Sequence, residues 1–319
     1  MERTIVTGAA GFIGANVARR LLDEGVQPIL FTAPGSLCWR LDELEAHAPV
    51  VEVDLADEQG VAAAVAESRA DSILHLAAHG GYSWQTDHGA ILRANVLGTS
   101  NLLQAGLAAG FEVFVNTGSS SEYGLKDHPP TESEPIEPNS TYAVSKATAT
   151  MLCRHEAART GANVCTLRLY STYGPWEEPK RLVPALAVEG LRGRLPPLVD
   201  PTIARDFVWV GDVVDAYLLA ARAKHTDPGA VYNVGTGVQT TLAAAVETVR
   251  DVLGLEARPD WGSMPPRSWD TSRWVADSNK IYEQLGWRAS TSFRDGFGAF
   301  AGWLRERPDT VAFYEHQRA

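Results

Sequence analysis

The chain has 319 residues, of which 45% are hydrophobic and 21% are charged, and its formal net charge at pH 7 is −11. This composition is typical of a globular protein, and the negative charge argues against nucleic acid or an anionic membrane as the main partner. No window approaches the roughly 20 consecutive apolar residues that span a bilayer. The N-terminus has no pattern of a signal peptide, and the three cysteines are widely spaced. We therefore expect a cytoplasmic protein with neither a disulfide framework nor a metal cluster.

Short apolar runs alternate with helical patterns through the first half of the chain. Runs typical of β-strands lie at 3–8, 27–32, 50–55, 71–78, 112–119 and 163–170. Helical patterns lie at 16–25, 58–68, 91–109 and 141–160. This alternation predicts right-handed βαβ units, and therefore a Rossmann-like, doubly wound parallel sheet of the α/β class with helices on both faces.

The alternation loosens after about residue 175, where prolines cluster, and two further helices are expected at 211–223 and 241–253. We therefore expect a first domain over 1–175, to which later segments can return. Residues 176–319 are expected to form a smaller C-terminal α/β part that covers one end of the sheet.

A glycine-rich turn, "TGAAGFIG", follows the first strand and opens the first helix, with glycines at Gly8, Gly11 and Gly14. Such glycines allow backbone N–H groups to approach a pyrophosphate, and the helix N-terminus adds a partial positive charge. Because the motif lies between strand and helix of a βα series, it predicts a dinucleotide site in residues 1–175.

The choice of nicotinamide cofactor depends on the end of the second strand. NAD sites usually have an acidic residue there to bind the ribose 2′-hydroxyl. In this sequence no acid appears before Asp42, and Thr32, Ser36 and Arg40 are present instead. An arginine suits a 2′-phosphate, so the sequence favours NADP(H), with NAD as the alternative.

The stretch "YAVSK" places Tyr142 and Lys146 four residues apart, and therefore on one face of the predicted helix at 141–160. An ammonium beside a phenol lowers the pKa of the phenol, as an acid–base catalyst requires. Ser119 ends the preceding strand, at the edge where open α/β sheets bind ligands. These three residues are the candidate catalytic group.

Many ordered motifs together resemble the extended short-chain dehydrogenase/reductase superfamily, in particular its nucleotide-sugar epimerases, dehydratases and ketoreductases. The resemblance runs nearly end to end. It is carried by "TGAAGFIG", "HLAA" (75–78), "NVLGT" (95–99), "SSSEYG" (119–124), "YAVSK", "LRLYSTYGP" (167–175), "ARDFVWVGDVVDA" (204–216), "YNVGTG" (232–237) and "LGW" (285–287).

The resemblance implies roles for individual residues. Tyr142 would be the acid–base catalyst, Lys146 its partner and a ligand of the nicotinamide ribose, and Ser119 the third catalytic residue. Cofactor contacts would be made by Gly8, Gly11, Phe12, Ile13, Gly14, Arg40, Asp54, Leu55, Ala77, Tyr142 and Lys146. Substrate contacts would be made by Tyr82, Ser120, Ser171, Arg205, Arg267 and Asp270, with the two arginines on a diphosphate.

The sequence also departs from the family pattern. Sugar 4,6-dehydratases of this family carry Asp-Glu directly after the catalytic Ser or Thr, whereas Ser120 and Ser121 stand at those positions and Glu122 comes one residue late. Dehydration is therefore doubtful. Ser171 replaces an asparagine common in relatives, and the loop "HGGYSWQTD" (79–87) does not identify a sugar.

Hydride transfer at C4 of a nucleotide sugar is the function that this resemblance implies. A ketoreductase of a 4-keto-6-deoxy sugar that uses NADPH is slightly favoured over a 4-epimerase that retains NAD, because the second strand lacks the acid. A non-catalytic dinucleotide-binding sensor is the alternative outside catalysis. A metal-dependent hydrolase is not supported, because the eight histidines form no ligand motif. We also expect a homodimer through the helices at about 91–109 and 141–160.

Overall fold

The structure, a computed structural model, describes residues 1–265 and 270–318. Its strands are β1 (Arg3–Thr7), β2 (Gln27–Thr32), β3 (Val50–Glu52), β4 (Ser72–His75), β5 (Val113–Ser119), β6 (Val164–Leu169), β7 (Ser171–Tyr173), β8 (Ala204–Arg205), β9 (Phe207–Trp209), β10 (Ala230–Val234) and β11 (Thr240–Thr241). Its α-helices are α1 (Phe12–Asp23), α2 (Glu58–Ser68), α3 (His88–Leu92), α4 (Gly98–Ala109), α5 (Thr141–Thr160), α6 (Leu182–Leu191), α7 (Val210–Arg222), α8 (Leu242–Leu253), α9 (Asn279–Leu285), α10 (Phe293–Arg305) and α11 (Pro308–Arg318). A π-helical turn (Arg93–Leu97) joins α3 to α4, and a 3₁₀ turn (Ser120–Tyr123) follows β5.

Within the described residues, seven strands form one sheet in the order β10-β6-β5-β4-β1-β2-β3, and every neighbouring pair is parallel. The central strands are buried along almost their whole length, which explains why they read as continuous apolar runs. The Rossmann-like prediction is thus confirmed. The strand order reverses between β1 and β4, and ligands of open α/β sheets bind outside the carboxyl ends of the strands at such a point.

Alternate residues of the strands pack into separate cores on the two faces of the sheet. On one face, Val6, Leu74 and Val115 pack with the buried sides of α1 and α7. On the other face, Ile5 and Phe114 pack with the buried sides of α2, α4 and α5. Because side chains alternate along a strand, neighbouring residues such as Ile5 and Val6 stabilise opposite layers.

The C-terminal part has a core of its own, in which α6, α8, α10 and α11 pack through Leu186, Val246, Phe300 and Tyr314. Residues after 175 also return to the large sheet, since β10 pairs with β6 and α7 packs on α1. A division of the chain at residue 175 stays a prediction. None of the helices within residues 1–265 and 270–318 has the length and apolar character needed to cross a membrane.

Candidate active site

The segment between β1 and α1 is a tight glycine turn. Gly8 adopts φ +64°, and a Cβ on it would lie 2.7 Å from the backbone nitrogen of Ala77, just after β4. A Cβ on Gly14 would lie 2.3 Å from the carbonyl oxygen of Gly8. Both positions therefore require glycine, and the turn packs closely against the end of β4.

Helix α1 begins at Phe12, earlier than the helical pattern at 16–25 predicted. Its N-cap is Gly11, which makes no side-chain capping hydrogen bond, and its first turn contains no acidic residue. The first N–H groups of α1 thus have no side-chain acceptor, and the helix dipole favours an anion at this end. The turn fits the pyrophosphate of a dinucleotide, as the glycine motif, including Ile13 and Gly14, suggested.

Two buried polar residues hold this turn against β4. The Thr7 Oγ1 accepts hydrogen bonds from the backbone N–H groups of Leu76 and Ala77, both at 3.1 Å, and lies 2.7 Å from Nδ1 of His75. The other ring nitrogen of His75 lies 2.8 Å from Thr99 Oγ1. Burial lowers the pKa of His75 to about 3, so its imidazole is neutral and structural. No sequence motif had indicated the role of Thr7.

Asp54 and Leu55 follow β3 at the carboxyl edge of the sheet, the side at which a dinucleotide would bind. Asp54 Oδ1 accepts a hydrogen bond from the N–H of Ala56 at 2.9 Å, which closes a short turn. The Leu55 carbonyl accepts one from Asn101 Nδ2 at 2.9 Å, and the Leu55 side chain packs against Gly98. Leu55 is thus held by α4, and the contact of Asp54 and Leu55 with adenine stays a prediction.

Arg40 does not present a free guanidinium to a cofactor. It is only 6% exposed, and its Nε donates to the carbonyl oxygen of Trp176 at 2.7 Å. One terminal nitrogen donates to the carbonyl of Ala10 at 3.3 Å, and the other lies 3.5 Å from Glu178 Oε2. Arg40 thus stabilises the glycine turn through the carbonyl of Ala10. The interpretation of Arg40 as a ligand of a 2′-phosphate, on which the preference for NADP(H) depended, is not supported.

We expect Arg40→Ala to weaken binding of NADH and NADPH by the same factor, because the side chain supports the backbone of the turn that both cofactors use. Titration of purified protein with each cofactor, followed by nicotinamide fluorescence, measures the two dissociation constants. Arg20→Ala is a matched control, since Arg20 lies on α1 but pairs with Asp215 at the surface. Loss of NADPH affinity alone would restore the phosphate role of Arg40.

The candidate catalytic residues come together at the carboxyl end of β5. Ser119 is its last residue, its hydroxyl lies 2.7 Å from that of Ser121, and its side chain interacts with Tyr142 in the first turn of α5. Ser140 caps this helix by accepting from the N–H of Ala143 at 3.1 Å, which fixes where the first turn begins. Lys146 lies one turn further along α5 and is 1% exposed. The geometry thus groups the serine, the phenol and the ammonium.

The pKa of Tyr142 lies above its ordinary value, whereas the ammonium of Lys146 was expected to lower it. Burial raises the pKa of Tyr142 to about 12, although the hydrogen bond with Ser119 opposes the rise. Burial also lowers the pKa of Lys146 to about 8, and the charge of Glu122 opposes that shift. Desolvation therefore outweighs the local charges at both groups.

A loop after β4 covers the Tyr142 ring. Gly80 and Gly81 lie against the ring, and a Cβ on Gly81 would be 3.9 Å from the phenolic oxygen. The Gln85 side chain accepts from the N–H of Gly80 at 2.9 Å and so closes the loop. Tyr82 stacks on Trp84 with ring centroids 4.8 Å apart. Tyr82 therefore lies beside the catalytic phenol, where a substrate contact was predicted.

Three further sets of contacts involve predicted substrate residues that the structure describes. Ser120 Oγ accepts a hydrogen bond from Trp274 Nε1 at 3.1 Å, a partner that no sequence motif had indicated. Ser171 begins β7 and donates its N–H to the carbonyl of Asp206 at 3.0 Å. Arg205 and Asp270 form an ion pair at 3.0 Å. Arg267 lies outside the described residues.

Glu122 also belongs to this site, although the family pattern did not predict its role. Ser119 and Glu122 form a capping box, in which the serine hydroxyl accepts from the 3₁₀ turn and the carboxylate accepts from the serine N–H at 2.8 Å. The S-x-x-E spacing is a readable signature of this motif. Glu122 is fully buried, with its carboxylate 2.9 Å from Arg168 Nε.

A parallel sheet with a glycine turn after β1, and Ser, Tyr and Lys grouped beyond β5, defines an enzyme of the extended short-chain dehydrogenase/reductase type. Residues 4–235 match the model of the NAD dependent epimerase/dehydratase family, and the chain belongs to that family.

Three relatives illustrate how similar known proteins are to this chain in sequence and in structure. A dTDP-glucose 4,6-dehydratase of Streptomyces griseus is 31% identical over 317 residues, covering 95% of this chain and 94% of the relative. The UDP-glucose 4-epimerase of Thermus thermophilus, solved with NAD, has a TM-score of 0.85 at 29% identity, with coverages of 96% and 99%. The UDP-glucose 4-epimerase of Thermotoga maritima, solved with UDP-glucose, also has a TM-score of 0.85, at 26% identity and coverages of 95% and 99%.

Proposed function

We propose that the protein is an NAD-dependent 4-epimerase of a nucleoside-diphosphate sugar. The observation that carries the proposal is the grouping of Ser119, at the end of β5, with Tyr142 and Lys146, which lie one turn apart on α5. This arrangement places a proton donor and acceptor next to the site that fits a dinucleotide.

The cofactor argument favours epimerisation over reduction of a 4-keto-6-deoxy sugar. The preference for a ketoreductase followed from a site for NADP(H), and Arg40 is engaged by Trp176 and Ala10 instead of facing such a site. The Thermus relative was solved with NAD. Epimerisation with retained NAD needs no external reductant, because the hydride that leaves the sugar returns to the same sugar. For an NAD-dependent enzyme it is therefore a simpler reaction than reduction.

The side chains after Ser119 argue against dehydration, although the Streptomyces relative is named a dehydratase. Elimination of water needs an acid and a base beside the sugar. Ser120 and Ser121 stand at the two family positions, and a serine hydroxyl is a weak group for either task. Glu122 is fully buried and paired with Arg168, so its carboxylate is turned away from the cleft.

A nucleotide sugar is supported by the polar residues on the other side of the cleft. Arg205 lies next to β9 and pairs with Asp270, and an arginine suits the diphosphate of such a ligand. The Thermotoga relative was solved with UDP-glucose. We propose that Arg205 and Arg267 contact the diphosphate, and that Asp270 contacts the nucleoside ribose.

The roles of the chain's own groups follow from their positions. NAD, when bound, supplies an acceptor and donor of hydride at the sugar carbon. The turn around Gly8, Gly11 and Gly14 would hold its pyrophosphate. In its ionised form Tyr142 Oη would take the proton of the C4 hydroxyl, and the phenol so formed would return that proton to the same oxygen. Ser119 donates a hydrogen bond to the same oxygen.

Identification of the retained cofactor and an assay without added cofactor test this proposal together. We expect NAD in the denatured supernatant of purified protein, by mass spectrometry, and interconversion of UDP-glucose and UDP-galactose by proton NMR. A requirement for added NADPH with a 4-keto-6-deoxy sugar would instead support the ketoreductase. Formation of a 4-keto-6-deoxy sugar from dTDP-glucose would support dehydration, and retained NAD without turnover of either substrate would support a sensor.

We also propose a homodimer through the face that α3, the following π turn and α5 share. Four large apolar side chains are 43–54% exposed on these elements: Leu92, Leu97, Val144 and Met151. Exposed apolar side chains that cluster on neighbouring helices favour a second copy of the chain as the partner.

Met151→Glu is expected to convert the dimer to a monomer, because a charge would be buried without a partner in the contact. Light scattering after size exclusion should give twice the 34.5 kDa chain mass for the unaltered protein and the chain mass for the variant. Leu219→Glu on α7, another exposed apolar position, should leave the mass unchanged. A monomeric mass for the unaltered protein would refute the dimer.

A further inference from the structure

A buried ion pair lies directly behind the candidate catalytic residues. Glu122 is 0% exposed, and one of its oxygens lies 2.9 Å from Nε of Arg168, which is itself 3% exposed. The other oxygen accepts the backbone N–H of Ser119 at 2.8 Å and the hydroxyl of Thr150 at 3.1 Å. One carboxylate therefore joins the end of β5 to β6 and to α5.

The partner on α5 lies on the same face as the catalytic pair. Tyr142, Lys146 and Thr150 follow one another at intervals of four residues, and residues four apart on a helix lie one turn above another. We call these three residues the catalytic face of α5. Through Thr150, Glu122 thus contacts the helix that carries the phenol, and it holds the backbone of Ser119 at the same time.

Several observations indicate that this contact does more than fill the core. A buried ion pair contributes little net stability and is costly when one partner is removed, so it is weak evidence for stability alone. The backbone is closely fitted to the carboxylate, since a Cβ on Gly118 would lie 2.7 Å from Glu122 Oε1. The serine held in this way interacts with Tyr142 on α5.

The charge of Glu122 also acts on the catalytic face of α5. Burial lowers the pKa of Lys146, and the negative charge of Glu122 opposes this and favours the ammonium. The other charged and titratable groups that interact with Lys146 or Glu122 are Tyr142 and Cys153 on α5, His75 on β4, Tyr123 beside Glu122, and Arg168 on β6. His75 is neutral, and burial raises the pKa of Cys153 to about 12, so neither carries charge near pH 8.

We propose that Glu122 is a positioning residue, whose carboxylate fixes Ser119 against the catalytic face of α5. The inference rests on the catalytic roles proposed above for Ser119, Tyr142 and Lys146. Glu122 acts through these residues and does not itself touch the sugar.

Glu122→Gln tests this proposal. Misplacement of a catalytic group by about 1 Å can cost roughly 100-fold in rate, so we expect kcat to fall about 10- to 100-fold while KM changes less than about twofold. Lys146 loses its charge as pH rises through about 8 in the unaltered protein, and without the neighbouring negative charge it does so at lower pH. The alkaline limb of the kcat profile should move to lower pH with it.

Lysine NMR provides a readout that needs no substrate. The chain has five lysines, so ¹³Cε-lysine labelling resolves Lys146, which Lys146→Arg assigns. We expect the titration midpoint of Lys146 to fall in Glu122→Gln and to be unchanged in the matched control Glu132→Gln. Glu132 is another partly buried acid, but it binds the N–H of Asn233 at 2.7 Å instead of Ser119. An unchanged midpoint together with unchanged kcat would overturn the proposal.

Glu122→Gln leaves the buried guanidinium of Arg168 without its carboxylate, which can prevent folding. A second variant therefore provides an independent test. Thr150→Val removes only the hydroxyl contact with Glu122, and we expect kcat to fall about fivefold or more at unchanged KM. Thr160→Val is its control, because the Thr160 hydroxyl bonds backbone groups at the end of α5. If Glu122→Gln does not fold, equal kcat values for the two threonine variants overturn the proposal. Full activity of Tyr142→Phe would instead overturn the proposed function and leave the NMR shift intact.

Discussion

Tyr142→Phe is expected to lower kcat by about 10²- to 10⁴-fold, the usual contribution of a positioned acid–base group. The substitution removes only the phenolic hydroxyl, which interacts with Ser119. The ring remains and still packs against Gly80 and Gly81, so the fold and the glycine turn should be unaffected. The variant should therefore retain NAD in the amount found for the unaltered protein, while epimerisation of UDP-glucose is lost.

The matched control for this experiment is Tyr282→Phe, which removes a phenolic hydroxyl from a ring that is 43% exposed on α9 and stacks on Arg288. We expect this variant to have normal turnover and normal cofactor content. Normal turnover in a folded Tyr142→Phe would remove Tyr142 from the mechanism. Loss of both turnover and bound NAD would show that the tyrosine acts in cofactor binding instead of proton transfer.

Local patterns were sufficient to predict the sheet because each βα unit is encoded within a short stretch. The first strands are apolar on both faces, and the glycine turn contains residues that its close approach to Ala77 requires. Strand β10 (Ala230–Val234) was not predicted. It comes after the break in alternation at about residue 175, and only pairing with β6 identifies it as part of the sheet.

The place of Arg40 could not be predicted, because its partners are distant in the sequence. Its Nε bonds the carbonyl of Trp176, 136 residues away. The sequence after β2 contains an arginine, but it could not indicate that tertiary packing turns the guanidinium inward. A buried arginine needs several acceptors, and here Trp176 and Ala10 provide them.

The catalytic group illustrates the same limit. Helical spacing predicted that Tyr142 and Lys146 share a face of α5, since that depends on geometry within one helix. Their pKa values depend on burial by other segments, including the loop with Gly80 and Gly81. The neighbours of Tyr142 in the sequence therefore could not indicate its pKa, because burial in the folded chain raises it.

Asp206→Asn is expected to lower the free energy of unfolding by about 3 kcal/mol, because a buried carboxylate would lose acceptor capacity. Asp206 is 0% exposed. One oxygen accepts from the N–H and hydroxyl of Thr236 at 2.8 and 2.6 Å, and the other accepts from the N–H groups of Gly237 and Ala276, both at 3.0 Å. An asparagine amide in either orientation turns its NH₂ group toward at least one backbone N–H, which is left without an acceptor.

The effect should reach the substrate site as well as stability. Asp206 follows Arg205 in the chain. Its carboxylate binds the N–H of Gly237, after β10, and the N–H of Ala276, and so holds both next to the segment that contains Arg205. Urea unfolding followed by tryptophan fluorescence measures the loss, and we expect KM for UDP-glucose to rise more than kcat falls. Asp200→Asn is the control, since Asp200 accepts from the N–H and hydroxyl of Thr202 in the same way but is exposed. Equal unfolding midpoints for the two variants would mean that the buried carboxylate is not what holds these segments together.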